Sequence, residues 1–166
     1  MNSMAYFKDL SEYIYGDLSY ARPGTKTIGW LGIGHDFPTK PPSDEILNLL
    51  WDFCSTSVAL ARGAHECEFC PSGSAYFAER KGQQLLLGVA EIRVFSKQGI
   101  IYAAPTLIYH YVQVHHYQPP DEFLEALRKG PRPPNRDYFE CLEKLGLTWS
   151  ATSSGAGLRK PANIRS

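Results

Sequence analysis

The stretch VAEIRVFSKQGIIYAAP, residues 89–105, predicts the centre of the fold. Side chains alternate in character along residues 89–95, as in a strand whose two faces differ. SKQG at 96–99 is typical of a turn, and IIYAA at 100–104 predicts a second strand that ends at Pro105. We therefore expect an antiparallel hairpin here.

Helix signals lie before and after this hairpin. Ser43 and Asn135 precede amphipathic segments and are the expected N-caps of two helices. The predicted helices are residues 43–55, 106–117, 120–129 and 135–145. Because strands are followed by helices instead of alternating with them, the pattern predicts an α+β fold. We expect an antiparallel sheet, built mainly from residues 58–104, with the helices packed on it.

The composition is that of a globular protein. The 166 residues are 43% hydrophobic and 13% aromatic, which is enough apolar material for a sizeable core. We expect a single globular domain over residues 1–149. The last residues, 150–166, are rich in Ser, Gly and Ala and are expected to form a flexible tail.

The charge balance and the cysteines limit the classes of partner and compartment. Basic and acidic residues both number 17, and a net charge of zero argues against nucleic acid as a partner. The chain has no apolar run long enough to cross a membrane, and MNSMAYFKDL at its start lacks a secretory pattern. We therefore expect a cytoplasmic protein whose four cysteines are thiols or metal ligands, not disulfides.

The segment RGAHECEFCPSG, residues 62–73, is the main chemical signal. Cys67 and Cys70 have the C-x-x-C spacing that places two sulfurs on one tetrahedral ion. Downstream, His110 and His115 have a spacing used by structural zinc sites. The sequence thus predicts a zinc knuckle in which Zn²⁺ is bound by Cys67, Cys70, His110 and His115.

Helix geometry limits this ligand set. Five residues of an ideal helix turn through about 500°, which leaves His110 and His115 about 140° apart. Both can reach one metal only if the helix loosens near His115, before the stop at Pro119 and Pro120. His65 is the alternative ligand, because H-x-C-x-x-C can supply three ligands from one loop.

Two interpretations of the C-x-x-C pair do not need a metal. A redox pair usually precedes a helix whose dipole stabilises the thiolate, and Pro71-Ser72-Gly73 follow here instead. The other is a metal-free turn with buried thiols.

Several blocks of the chain resemble one family. YFKDLSEYIYG, RGAHECEFC, EIRV, YAAPTLIYHYV and HHYQPPDEF are similar to motifs of small bacterial proteins with no assigned activity. The resemblance covers residues 6 to about 127. It implies a bacterial, cytoplasmic, non-secreted protein and no particular mechanism. His116 occupies a variable position of the last motif, which favours His115 as the ligand.

Three classes of function remain. The first is a protein-binding module, such as a toxin-immunity-like inhibitor, in which zinc only holds the fold. The second is an enzyme with a catalytic zinc at the same residues and Glu66, Glu68 or Asp36 as the general base. The third, a nucleic-acid-binding module, is disfavoured by the zero net charge.

The tyrosine-rich stretch 6–20 is the expected partner surface. Tyr13, Tyr15 and Tyr20 are the predicted contacts, because a tyrosine ring offers a large rigid area with one polar group. The alternative is that these rings belong to the core.

Overall fold

A computed structural model describes residues 6–14, 22–59, 65–71, 76–151 and 159–160. Within these residues the chain forms four helices and eight strands. The helices are α1 (Asp44–Cys54), α2 (Ile108–His115), α3 (Asp121–Lys129) and α4 (Arg136–Lys144). The strands are β1 (Lys26–Thr27), β2 (Thr56–Val58), β3 (Tyr76–Arg80), β4 (Gln83–Leu87), β5 (Glu91–Phe95), β6 (Ile101–Pro105), β7 (Trp149–Ala151) and β8 (Arg159–Lys160).

The strands form two sheets. The larger has the order β1-β6-β5-β2-β7-β8, and every neighbouring pair is antiparallel except β1 and β6, which are parallel. The smaller sheet is the β3–β4 hairpin. With four helices beside mainly antiparallel strands, the α+β prediction is confirmed.

The hairpin predicted over residues 89–105 is present. β5 pairs with β6 from Glu91 opposite Pro105 to Phe95 opposite Ile101. The prediction that residues 58–104 supply most of the sheet needs correction. β1 and β7 lie outside that range, and β3–β4 form a sheet of their own. Strands of two or three residues are too short to show an alternating pattern.

All four predicted helices are present, with bounds within two residues of the expected ones. The Ser43 side chain accepts a hydrogen bond from the Ile46 N–H, as expected of an N-cap. Asn135 stands at the start of α4, but its side chain makes no capping hydrogen bond. None of the helices in the described part of the chain has the length and apolar character needed to span a bilayer.

The centre of the core is β5, all of whose residues are buried. Ile92 and Val94 contribute apolar side chains, whereas Glu91 and Arg93 form an ion pair of 2.8 Å in the interior. Tyr13 packs over this pair, and its hydroxyl donates to both Glu91 carboxylate oxygens. Arg93 also lies against the Tyr13 ring, 5.0 Å from its centroid.

Tyr13 is therefore a core residue in this structure, only 3% exposed, and not the surface contact that we predicted. The reason is that its hydroxyl satisfies a buried carboxylate while its ring covers β5. The other two predicted contacts, Tyr15 and Tyr20, lie outside the described residues.

The division into a domain over 1–149 and a flexible tail over 150–166 stays a prediction. β7 (three residues) spans the expected boundary and pairs with β2. β8 (two residues) lies beyond the boundary and pairs with β7. Residues 152–158 and 161–166 lie outside the described part of the chain.

Candidate metal centre

Cys67, Cys70, His110 and His115 lie together, as the sequence predicted. Each offers one ligand atom, and these four atoms lie within 4.8 Å of one another. The His115 Nε2 is 3.3 Å from the Cys67 Sγ and 3.4 Å from the Cys70 Sγ. The His110 Nε2 is 3.5 Å from the Cys70 Sγ. The four residues are close enough to bind one metal ion.

The knuckle, residues 65–71, is fixed by the turn between β4 and β5. The His65 N–H donates to the Gly88 carbonyl at 2.8 Å. The Gly88 N–H in turn donates to the Thr106 hydroxyl, two residues before α2. Gly88 has a φ of +92°, and a Cβ there would lie 2.5 Å from the His65 carbonyl oxygen. Only glycine allows the backbones of residues 65 and 88 to lie this close together. Through Gly88, the knuckle is connected to the start of α2.

The last turn of α2 is wider than an α-helical turn. The N–H groups of His116 and Tyr117 both donate to the Tyr111 carbonyl, five and six residues back. His116 is in the left-handed conformation, with a φ of 57°. This widening has π-helical character, and the rings of His110 and His115 lie with their centroids 5.1 Å apart. It agrees with the expectation that the helix loosens near His115.

Three of the six distances between the ligand atoms are close to those of a tetrahedral zinc site. Zn–S bonds of about 2.3 Å and Zn–N bonds of about 2.0–2.1 Å place a sulfur and a nitrogen about 3.6 Å apart. The three observed S···N distances, 3.3–3.5 Å, are close to this value. In the metal-free protein, the same contacts serve as hydrogen bonds between thiols and imidazoles.

The chemistry of the donors favours a divalent metal of borderline softness. Two thiolates and two imidazoles suit Zn²⁺, whereas Mg²⁺ and Ca²⁺ take oxygen ligands. Two thiolates also neutralise the two charges of the ion. This matters because Cys67 is only 2% exposed, and an unbalanced charge there would be costly.

Burial favours the uncharged forms of Cys67, His110 and His115. It raises the pKa of the Cys67 thiol to about 12, with a further contribution from the nearby Cys70. Burial also lowers the pKa of His110 to about 4, aided by repulsion from His115. The pKa of His115 is lowered mainly by burial as well. Both imidazoles therefore favour the neutral form, which is the form that binds a metal. A bound cation would deprotonate the thiols.

Aromatic rings surround the four ligands. Phe69 packs on the His115 ring at 5.4 Å between centroids, and Tyr76 packs on His110 at 4.8 Å. The Phe69 N–H donates to the Cys67 sulfur at 3.4 Å. This contact orients the sulfur from outside the ligand set. The two rings thus pack on the site from the knuckle and from β3, while Cys70, His110 and His115 remain partly exposed.

The remaining candidates of the sequence analysis lie outside the cluster. The group of four does not include His65, the alternative ligand, whose backbone anchors the knuckle instead. The Glu68 carboxylate accepts a hydrogen bond from the Ile33 N–H. Asp36 lines a separate cleft. Sequence patterns gave no indication of the parts played by Gly88 and Thr106, because a backbone contact between distant turns has no local signature.

The raised pKa of Cys67 also bears on the redox interpretation. Redox-active C-x-x-C pairs carry a cysteine whose pKa is lowered by a helix N-terminus or a nearby cation. Here burial shifts the pKa of Cys67 in the opposite direction. The direction of this shift is opposite to that of a redox-active pair.

These features define a class, an α+β protein with a potential metal centre of two cysteines and two histidines. The chain belongs to the family described as Domain of unknown function (DUF7919), whose profile matches residues 5–128. The match includes all four clustered residues and agrees with the extent of the resemblance noted above. No significant match was found among the curated proteins or among the solved structures.

Proposed function

We propose that the protein is a zinc-stabilised protein-binding module and that its zinc is structural. One observation carries this proposal: four protein ligand atoms, from two cysteines and two histidines, lie within 4.8 Å of one another. Structural zinc sites have four protein ligands, whereas catalytic sites have three and keep one position for water. The alternative, a zinc-dependent enzyme, would need one of the four residues to stay unbound.

The arrangement of the chain supports a role in stability. The four ligands join the knuckle to α2, and neither pair of ligands lies in the larger sheet. Metal binding would therefore fix a loop of otherwise irregular structure onto a helix of only eight residues. Because such a site forms only in the folded chain, the free energy of metal binding adds to that of folding.

The N-terminal segment supports partner binding. Although Tyr13 is buried, its neighbours Tyr6, Leu10 and Ile14 are exposed, as is Ile33. Contiguous patches of exposed apolar side chains are typical of protein-binding surfaces, and we propose that these residues contribute to one. We propose that the partner is a protein, bound in the cytoplasm of a bacterial cell, and that binding inhibits it, as in toxin-immunity pairs.

Metal analysis tests the structural zinc. The purified chain is expected to contain about one zinc ion per molecule by mass spectrometry under native conditions. Cys67→Ser and His110→Ala should each lose the metal and melt at a markedly lower temperature. Matched controls are Cys141→Ser, outside the cluster, and His116→Asn, where asparagine tolerates the positive φ. Metal-free wild-type protein from zinc-rich medium would contradict the proposal.

A defined complex tests the binding function. A candidate partner isolated from the source organism should be purified separately and mixed with this chain. Sedimentation should show a complex of fixed stoichiometry, and the partner's activity should fall at the same ratio. Turnover of a substrate by the isolated chain, abolished in Cys67→Ser, would favour the enzyme alternative.

A further inference from the structure

A cleft of about 480 Å³ opens beside the metal centre. The N-terminal segment, the loop of residues 31–38 and the segment 118–121 form its walls. Phe37 connects the cleft to the metal centre, because its ring contacts both Phe69 of the knuckle and Tyr117 after α2. One wall residue of the cleft thus packs against the knuckle and against the segment that follows α2.

The lining of the cleft combines carboxylates with aromatic rings. Asp9, Asp36 and Asp121 line it, whereas Lys8 is the one lysine or arginine among the described lining residues. Tyr6 and His35 form a parallel stack at its wall, with centroids 3.7 Å apart and planes within 7°. The local charge is negative, although the whole chain is neutral.

Asp9 is oriented by fixed donors at the inner side of the cleft. Its Oδ1 accepts from the Gly29 N–H at 3.0 Å, and its Oδ2 accepts from the Tyr117 hydroxyl at 2.7 Å. Asp9 makes no ion pair among the described residues, and burial raises the pKa of its carboxyl. Each oxygen retains a lone pair for a further donor.

We propose that this cleft binds the guanidinium group of an arginine side chain from a protein partner. Guanidinium is planar and weakly hydrated, so it stacks on aromatic rings while its N–H groups donate to carboxylates. The lining offers both kinds of group, and the excess of carboxylates selects a cation. That the arginine belongs to a protein partner rests on the proposed protein-binding function.

A lysine ammonium fits this lining less well. It is a compact and strongly hydrated charge, and it does not stack on a ring as a flat group does. The parallel pair of Tyr6 and His35 offers a flat ring face. The cleft should therefore discriminate between the two basic side chains.

The test is an NMR titration of the ¹⁵N-labelled full chain with N-acetyl-L-arginine methylamide. Two further probes are the citrulline analogue, which has the same shape without the charge, and the lysine analogue. We expect amide shifts at residues 6–9, 35–38 and 118–121. The arginine probe should bind at least about tenfold more tightly than either of the others, a difference of about 1.4 kcal/mol.

Variants of exposed residues separate binding from folding. Asp36 and Asp121 are exposed and make no ion pair within the described residues, so Asp36→Asn with Asp121→Asn should fold normally. We expect this double variant to bind the arginine probe about tenfold more weakly. Tyr6→Ala should weaken it several-fold through loss of the stacked ring. Glu143→Gln, an exposed carboxylate on α4, is the matched control and should leave binding unchanged.

Three results would overturn the inference. They are equal binding of the citrulline or lysine probe, amide shifts away from the cleft, and an unchanged affinity in the double aspartate variant. Because the probe is small, the titration reports on the cleft alone. Its failure would leave the metal analysis and the partner measurements unaffected, and a failure of those would leave probe binding intact.

Discussion

Gly88 has the tightest backbone requirement near the metal centre. Alanine there would meet two costs, an unfavourable positive φ and a Cβ placed 2.5 Å from the His65 carbonyl oxygen. A backbone oxygen cannot rotate away as a side chain can. The knuckle would have to move, and Cys67 lies two residues further along it.

We predict that Gly88→Ala destabilises the protein more than Gly99→Ala does. Gly99 has nearly the same φ, +93°, but its Cβ would have open space around it. The control should lose about 1–2 kcal/mol from the backbone alone. The clash should add about 1–3 kcal/mol for Gly88→Ala. Urea denaturation of both variants measures this, and equal losses would contradict the prediction.

The buried pair of Glu91 and Arg93 is a second residue-scale feature. Arg93 is fully buried, and its Nε and Nη2 have no hydrogen-bond partner among the described residues. Glu91 supplies the neutralising charge at 2.8 Å. Breaking a buried pair from one side leaves the other charge uncompensated.

We predict that Glu91→Gln lowers the free energy of unfolding by about 3–5 kcal/mol. The matched control is Glu125→Gln, which breaks an exposed i,i+4 pair with Lys129 and should cost less than about 0.5 kcal/mol. Tyr13→Phe should fall between them, because it removes one buried donor to Glu91. Denaturant titration gives all three values. A loss below 1 kcal/mol for Glu91→Gln would be inconsistent with a buried charge pair.

The sequence predicted which residues cluster, because their spacing is typical of metal ligands. It did not predict the burial of residues that a distant segment covers. The C-x-x-C and H-x₄-H spacings identified all four clustered residues. Glu91 and Arg93 stand at alternate positions of a strand, where the pattern suggests a polar outer face. That face is instead covered by Tyr13, 78 residues away from Glu91, and alternation alone does not show such a cover.

Helix ends are the features best explained at the scale of elements. Ser43 and Asn135 are both expected caps, yet only Ser43 accepts a hydrogen bond from its helix. The sequence therefore predicted the type of residue at each helix start, but not whether its side chain makes the capping hydrogen bond.

We predict that Ser43→Ala costs about 1 kcal/mol of stability, because the Ile46 N–H loses its acceptor. Asn135→Ala should cost clearly less, since no hydrogen bond from its side chain caps α4. Thermal unfolding of the two variants provides the comparison. Equal shifts in melting temperature would show that the capping hydrogen bond contributes little.

Amphipathic helices of eight to eleven residues were predictable within two residues, because their period repeats two or three times. Strands β1, β2, β7 and β8 were not, since two or three residues contain no repeat. The place of β3–β4 was also beyond the sequence. The sequence analysis included these residues in a single antiparallel sheet, whereas they form a separate hairpin.

At the scale of the whole molecule, the four clustered residues lie where the knuckle meets α2, beside one continuous core. None of the four clustered residues lies in strands β5 or β6. Loss of metal should therefore affect one region of the molecule more than the rest.

We predict that chelation of the metal increases amide hydrogen exchange mainly at residues 65–71 and 108–117. Exchange in β5 and β6 should change little under native conditions, because local opening needs less free energy than global unfolding. Mass spectrometry of peptides from metal-loaded and chelated protein measures this. Cys141→Ser provides a control with the metal site intact. A uniform increase over the whole chain would mean that the metal sustains the entire fold.

The two pairs of ligands are separated by 40 to 48 residues of sequence, with both hairpins between them. A metal ion bound there is a reversible cross-link that closes a loop of this length. We expect the two ends of this loop to meet late in folding, after the intervening hairpins have assembled, because closing the loop first would cost chain entropy. Contacts completed after the transition state slow unfolding and leave the folding rate nearly unchanged. Zinc would thus lengthen the lifetime of the folded chain against proteases without shortening the time that a new chain needs to fold.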